Sequence, residues 1–187
     1  MHGLLLAAGA GTRMGMPKAL VRAPDGESWL VRGARALAAG GCSQVTVVLG
    51  ASAEEAIPLL EGTGATAVVA ADWAEGMSAS LRAGLTAAAA TDAEAVVVTL
   101  VDLPDVGAEV VRRLLDPAPG RATLRRATYA GRAGHPVVLG RDHWAGVVGL
   151  AAGDTGARDY LAGRDVELVE CGDLASGVDV DRPRAAD

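Results

Sequence analysis

Apolar residues in this chain fall in short unbroken runs, separated by stretches where they recur every three or four positions. Gly3–Ala8, Gln44–Leu49, Thr66–Ala71, Ala95–Val101, Pro136–Leu139 and Val166–Glu170 read as strands. They are Val, Leu and Ala runs with little polar alternation, as in strands covered on both faces. Leu30, Val31, Ala34, Leu37 and Ala38 share one helical face, with Ser28 at the N-cap position and Gly40-Gly41 at the end. Leu81 and Leu85 repeat that period after Gly76-Met77-Ser78, and Asp105 and Asp154 stand where N-caps are expected for two later helices. Alternating strands and helices predict an α/β fold around a largely parallel sheet. Asp116–Gly120 reads as a surface turn and Arg121–Arg126 as an Arg-rich edge segment. No repeat, low-complexity tract or linker interrupts the pattern, so residues 1–187 are expected to form one domain.

Composition narrows the function. Hydrophobic residues make up 50% of the chain, without Phe, so the core is expected to be aliphatic with Trp29, Trp73 and Trp144 as its large fillers. The net charge of −6 and the lack of a basic run give no footprint for nucleic acid. The apolar runs are strand-length, so no membrane span is expected, and Met1–Ala8 reads as a first strand rather than a signal peptide. Cys42 and Cys171 are too few for a disulfide framework and lack zinc spacing, which suits a cytoplasmic protein. Of the 17 basic residues, Lys18 is the only lysine, and it lies in a glycine-rich loop.

That loop, Leu6-Ala7-Ala8-Gly9-Ala10-Gly11-Thr12-Arg13-Met14-Gly15-Met16-Pro17-Lys18, leaves the first strand at its carboxyl end, where open α/β sheets bind ligands. Small residues let backbone N–H groups approach a phosphate, and Arg13 and Lys18 add positive charge. A dinucleotide fingerprint is ill-matched, because the third glycine is displaced to Gly15 and Pro17 bars an ordinary helix. A Walker loop would need Gly-Lys-Ser/Thr, which Pro17-Lys18-Ala19 does not supply. The stretch resembles the G-x-G-x-R-M-G-x-x-K loop of the MobA-like nucleotidyltransferases. Leu-Ala-Ala-Gly before it is closer to their molybdenum cofactor cytidylyltransferase branch than to the guanylyltransferase branch. The resemblance implies a three-layer, Rossmann-like, mainly parallel sheet of the nucleotide-diphospho-sugar transferase type. It also implies that Leu6, Ala7, Ala8, Gly9, Gly11 and Thr12 wrap the nucleotide while Arg13 and Lys18 neutralise its phosphates.

The strand run Ala95–Val101 ends in Asp102-Leu103-Pro104. A carboxylate there lies beside the phosphate loop and suits Mg²⁺; a turn or cap role competes, but Asp105 is better placed for it. The resemblance agrees, since the family carries a metal-binding Asp-x-Pro at this point. In Val178-Asp179-Val180-Asp181-Arg182-Pro183, alternation puts Asp179 and Asp181 on one face of an extended segment, and an ordinary solvated tail is the other reading. The family completes its metal site with a similar Asp-Ile-Asp-Thr-Pro segment. This chain departs from it at Arg182 and Arg184-Ala185-Ala186, so either Asp179 or Asp181 could supply the ligand.

Ala71 to Leu85 is close to the family's G-M-S-x-S-L-R-x-G-L, which implies nucleotide contacts from Asp72 and Ser78. Gly131–Pro136 and Gly153–Arg158 resemble motifs that face the acceptor, and so point to His135, Asp154 and Arg158. The reaction implied is Mg²⁺-dependent transfer of a nucleoside monophosphate, CMP from CTP foremost, to a phosphorylated acceptor, molybdopterin foremost. A molybdoenzyme or its chaperone would then be a protein partner. Three rivals stand beside it: the same chemistry on another phosphorylated acceptor, an NAD(P)H-dependent reductase of the kind described within the family for nicotine blue, and a non-catalytic chaperone or binding module for the cofactor.

Overall fold

A computed structural model describes residues 1–181. Its sheet has seven strands: β1 (His2–Ala7), β2 (Gln44–Leu49), β3 (Thr66–Val69), β4 (Ala95–Leu100), β5 (Leu124–Tyr129), β6 (Arg132–Gly140) and β7 (Glu167–Glu170). Their order is β3-β2-β1-β4-β6-β5-β7. The β3-β2-β1-β4 half is parallel, β6 runs antiparallel to both β4 and β5, and β7 runs parallel to β5. The α/β, mostly parallel, three-layer expectation is therefore met.

Period-two geometry explains why the central strands are apolar at nearly every position. Leu5, Ala7, Val47 and Val97 pack on one face with Leu30, Leu37 and Val110, from α1 (Trp29–Ala39) and, beyond the short α2 (Ala53–Ala56) and α3 (Met77–Ala89), from α4 (Ala108–Leu114). Leu4, Leu6, Val96 and Val98 pack on the other face with Leu81 and Leu85 of α3. Trp144 and Val147 of α5 (Arg141–Leu150) and Tyr160 and Leu161 of α6 (Arg158–Leu161) complete that layer. Two separate cores on one sheet leave its carboxyl edge, at Ala7 and Leu100, free for a site.

Several local expectations are corrected. β3 stops at Val69, and β4 stops at Leu100, after which the Val101 N–H still donates to Leu6 O at 3.1 Å. Leu124–Tyr129 is an interior strand between β6 and β7, not an edge. The edges are β3 and β7. Arg125 is 4% exposed and directs its guanidinium to Glu167 at 2.7 Å and the Leu114 and Pro117 carbonyls at 2.6 and 2.9 Å. Ser28 does precede α1, but its hydroxyl makes no cap and lies buried without a partner among the described residues. Asp105 and Asp154 cap neither α4 nor α6, whose N-cap residues are Gly107 and Ala157. Trp29 and Trp144 are core fillers as expected, whereas Trp73 lines the cleft described next.

Candidate active site

A cleft of about 510 Å³ opens at the carboxyl ends of β1 and β4. The loop after β1 forms its floor, and Leu6, Ala7, Ala8, Gly9, Gly11, Thr12, Arg13 and Lys18 all line it. Gly11 makes the loop possible: its φ is +63°, and a Cβ there would sit 1.9 Å from the Met16 carbonyl oxygen. Met14, 8% exposed, anchors the far side of the loop in the core. Pro17 then starts a single 3₁₀ turn, Lys18–Leu20, that directs Lys18 back to the cleft.

Lys18 Nζ donates to Asp102 Oδ2 at 2.6 Å and to Asp181 Oδ1, while Arg13 donates to Asp181 Oδ2 at 3.1 Å. Burial alone would lower the Lys18 pKa, but the two carboxylates hold it above its ordinary value. Asp181 is held below the ordinary carboxylate range, first by its bond from Lys18 and then by Arg13. Backbone ties bring these groups together. The Val180 N–H donates to Asp102 O at 2.9 Å. Asp105, instead of capping a helix, accepts from the Ser176 N–H and hydroxyl at 2.7 and 2.6 Å. The Asp179–Asp181 segment is thereby strapped across the exit of β4.

The carboxylates of Asp102, Asp179 and Asp181 offer oxygens within 4.8 Å of one another. Asp102 Oδ1 is buried and unpartnered among the described residues, an expensive state for a carboxylate oxygen unless another cation takes it up. Hard oxygen donors, one of them orphaned, fit a divalent cation. The expected departures at Arg182–Pro183 and Arg184–Ala186 lie outside the described residues.

Other expected contacts are redistributed. Ser78 is fully buried and does not line the cleft. Its N–H donates to Gly153 O at 2.9 Å and its hydroxyl accepts from the Gly156 N–H at 3.1 Å, which pins the Gly153–Arg158 loop to the start of α3. Asp154 caps α3 from the neighbouring loop, accepting from the Met77 N–H at 3.1 Å. Asp72 stands outside the cleft, bound to Arg82 at 2.8 Å. In their place Trp73, Met77 and Ser80 form the wall opposite the loop. Met77 and Ser80 are three residues apart on α3, so the i, i+3 face carried a signal for both.

Arg158 is exposed at the start of α6, and His135 is half-buried near the start of β6. Tyr129 Oη donates to the His135 carbonyl at 2.6 Å. Burial, then the Arg126 and Arg158 charges, push the His135 pKa down to about 4, so the ring is neutral near pH 7. Arg126 had no assigned role in the sequence pattern.

Among known families, the MobA-like NTP transferase domain matches residues 3–169. The chain belongs to this family. A MobA-like relative, nicotine blue oxidoreductase of Paenarthrobacter nicotinovorans, is 37% identical over 190 residues, covering 96% of this chain and 91% of that one. A solved nucleotidyl transferase from Methanothermobacter thermautotrophicus superimposes with a TM-score of 0.80 over 97% of this chain and 91% of its own, at 23% identity, a likeness of fold alone. Rv0371C of Mycobacterium tuberculosis H37Rv, solved as a manganese complex, is 28% identical with a TM-score of 0.73, covering 96% and 92% of the two chains. A bound divalent ion in that relative accords with the acidic cluster of this MobA-like chain.

Proposed function

We propose that this protein is an Mg²⁺-dependent nucleotidyltransferase that moves CMP from CTP to a phosphorylated acceptor, molybdopterin foremost, with release of pyrophosphate. The observation that carries this reading is the charged knot at the loop, where Lys18 and Arg13 face Asp102 and Asp181 and one Asp102 oxygen is left over. In the reaction an acceptor phosphate oxygen bonds to the α-phosphorus of the NTP while the bond to the bridging α–β oxygen breaks. The electron pair leaves with pyrophosphate. No protein nucleophile is needed, and the work is positioning and charge neutralisation. The loop N–H groups hold the triphosphate, and Lys18 moves from the carboxylates to the phosphates as they enter. Arg13, largely exposed at the cleft mouth, meets the leaving pyrophosphate. Asp102, with Asp181 or Asp179, would hold Mg²⁺, which supplies Lewis-acid charge against the phosphate oxygens. His135, Asp154 and Arg158 stand on the acceptor side. A molybdoenzyme or its chaperone is the protein partner that follows from a molybdopterin product.

One finding favours a second reading. The 37% identity to an oxidoreductase extends over nearly the whole chain. A reductase could lay a nicotinamide dinucleotide pyrophosphate on the same loop, with no metal task for Asp102 and Asp181. Thermal melts with CTP, GTP, ATP, UTP, NADH and NADPH, each with and without Mg²⁺, separate the two. A ligand at a hundredfold excess over Kd stabilises by about 2.7 kcal/mol, a shift of roughly 5 °C or more at this size. The transferase reading expects an Mg²⁺-dependent shift, largest with CTP. A metal-independent shift with NADPH or NADH and silence from the nucleoside triphosphates would overturn it.

A further inference from the structure

A second cavity, of about 680 Å³, shares the phosphate loop with the nucleotide cleft and exceeds it in volume. Three segments serve both spaces. In the loop after β1, Gly11, Thr12, Arg13 and Lys18 line the cleft, whereas Met14 and Met16 line the cavity. After β4, Asp102 lines the cleft and Pro104 and Asp105 line the cavity. In the strap, Asp181 lines the cleft while Val178 and Val180 line the cavity, as alternation along an extended segment requires. The segments that carry Lys18, Asp102 and Asp181 thus turn their other sides to one common space.

The remaining wall comes from the chain before α1. The Trp29 N–H donates to the Val21 carbonyl at 3.0 Å and the Ala23 N–H to the Glu27 carbonyl at 2.9 Å. This narrow hairpin brings Val21, Ala23, Pro24 and the Trp29 indole to the cavity. Met14 and Trp29 are each 8% exposed and fixed in the core, while Met16 and Val178 are 42% and 50% exposed. The cavity therefore has a rigid interior and an open apolar rim.

Its chemistry selects the ligand. The polar groups in the wall are engaged within the protein: Arg32 meets Asp25 and Glu27 at 2.7 and 2.8 Å, and Asp105 accepts from Ser176. Arg22, at the solvent side, donates to the Gly26 carbonyl at 2.8 Å. A ligand is thus asked for apolar contact rather than charge. Two thioethers, an indole and two prolines offer polarisable and flat surfaces that favour an aromatic ring over an aliphatic chain. The volume falls within the range of about 300–1,000 Å³ typical of small-molecule sites. A second copy of the chain is a poor occupant. The other exposed large apolar side chains among the described residues, such as Ile57, Val69, Leu150 and Leu168, are scattered over separate elements and form no knob to fill a concave space.

We propose that this cavity is a second ligand site, for a neutral planar aromatic molecule, and that its occupancy is transmitted to the phosphate loop. Met14, Met16 and Trp29 grip the ring, and Val178 and Val180 close on it from the strap. One short loop carries both faces, so an occupant that fixes Met16 also restrains Gly11 to Lys18. A small aromatic effector would then adjust how the loop receives phosphates, and the coupling is reciprocal. The site stands whether the cleft serves a transferase or a reductase.

The test titrates 2-naphthol into the full chain, free of nucleotide, with methionine methyl groups labelled with ¹³C and amides with ¹⁵N. Met14 and Met16 should shift saturably. Met1, at the other end of β1, and Met77, in the nucleotide cleft, are the internal controls and should stay still. The amides of Gly11, Thr12 and Arg13, which line the cleft and not the cavity, should move with the same Kd. Val178→Arg at the exposed rim should weaken that Kd at least about tenfold. If it fails to fold, Pro24→Arg, also exposed at the cavity, decides in its place. Four results overturn the proposal: silent Met14 and Met16, a response shared equally by Met77, loop amides that do not move, or a rim variant that titrates like wild type. A dimer in sedimentation that Val178→Arg splits would give the cavity to a second copy and overturn it as well. With no nucleotide present, the outcome is independent of the transferase reading, which the thermal melts decide.

Discussion

Two charged groups, one lining the cleft at the phosphate loop and one carried by β5, β6 and α6, are built on opposite plans. At the phosphate loop, Lys18, Arg13, Asp102 and Asp181 neutralise one another at hydrogen-bond distance. At the β5–β6 end, the charges of Arg126 and Arg158 act on His135, and neither arginine has a carboxylate partner among the described residues. The first end is balanced in charge, with one Asp102 oxygen left over, and its cations must exchange partners when a nucleotide enters. The second has no counter-charge and gains directly from an anion. Mixed charge suits a group that arrives with its own cation, as a metal–nucleotide complex does, and cation-only charge suits a free anion. Each end should therefore fail differently when damaged.

The largest effect is expected at the mixed end. Asp102→Asn removes a cation-facing carboxylate oxygen and leaves Lys18 with Asp181 only. Nucleotidyl transfer should fall by at least about 10²-fold, and Mn²⁺ affinity measured by electron paramagnetic resonance should fall with it. A folded variant with the wild-type metal response would sink the assignment of Asp102. Lys18→Ala should cost transfer about 10²-fold as well. Unlike Asp102→Asn it should tighten Mn²⁺ binding to the nucleotide-free protein, because Lys18 already occupies Asp102 and Asp181. Unchanged turnover, or weaker Mn²⁺ binding, would count against that role.

A change at the hinge between the two ends should be smaller and should bias one of them. Gly76 has φ +110°, and a Cβ there would lie 2.5 Å from Asp154 Oδ1 and 2.7 Å from the Gly153 carbonyl. Gly76→Ala should cost about 2 kcal/mol of stability in chemical denaturation. By pushing the Gly153–Arg158 loop away from α3, it should raise the KM for the acceptor more than that for the nucleotide. Equal effects on both would mean that the loop does not serve the acceptor end.

Legibility follows the same division. The strands before the cleft are readable in the sequence because burial on both faces demands consecutive apolar residues, as at Leu4-Leu5-Leu6 and Val96-Val97-Val98. The phosphate loop is readable because Gly11, Arg13 and Lys18 carry their chemistry in residue type, and all three line the cleft. Leu124-Arg125-Arg126 is not readable as an interior strand, since two consecutive arginines imitate a solvated edge. Strand alternation sends Arg125 to Glu167 and the Leu114 carbonyl on one face and leaves Arg126 for the other. Ser78 misleads for a related reason. A serine at a helix start offers groups to a ligand or to a neighbouring loop, and only the tertiary position of Gly153–Gly156 decides between them. Asp105 and Asp154 are recognisable as acceptors of N–H groups, but their donors belong to Ser176 and Met77, remote in sequence.

The smallest expected effect separates the two ends by pH. His135 has its pKa pushed down from 6.5 to about 4, so between those values the unfolded chain binds a proton that the folded chain refuses. Stability must therefore fall as pH drops through that window. Asp181 is shifted below its ordinary 3.8, so its contribution is complete above 3.8 and is lost only below it. Lys18 is shifted above 10.5, and its contribution is lost only as pH rises past that value. Acidification from about pH 6.5 to 4 should thus weaken the cation-only end while the mixed end stays intact. The imidazole is only half-buried and Arg158 is exposed, so water screens part of the repulsion and the loss should be about 1 kcal/mol, or roughly 2–4 °C in Tm. His135→Asn should flatten the melting profile across this window, and phosphate should do the same in the wild type by favouring the imidazolium. If the His135→Asn profile keeps the wild-type slope, another group titrates there and the ring does not feel the two guanidiniums.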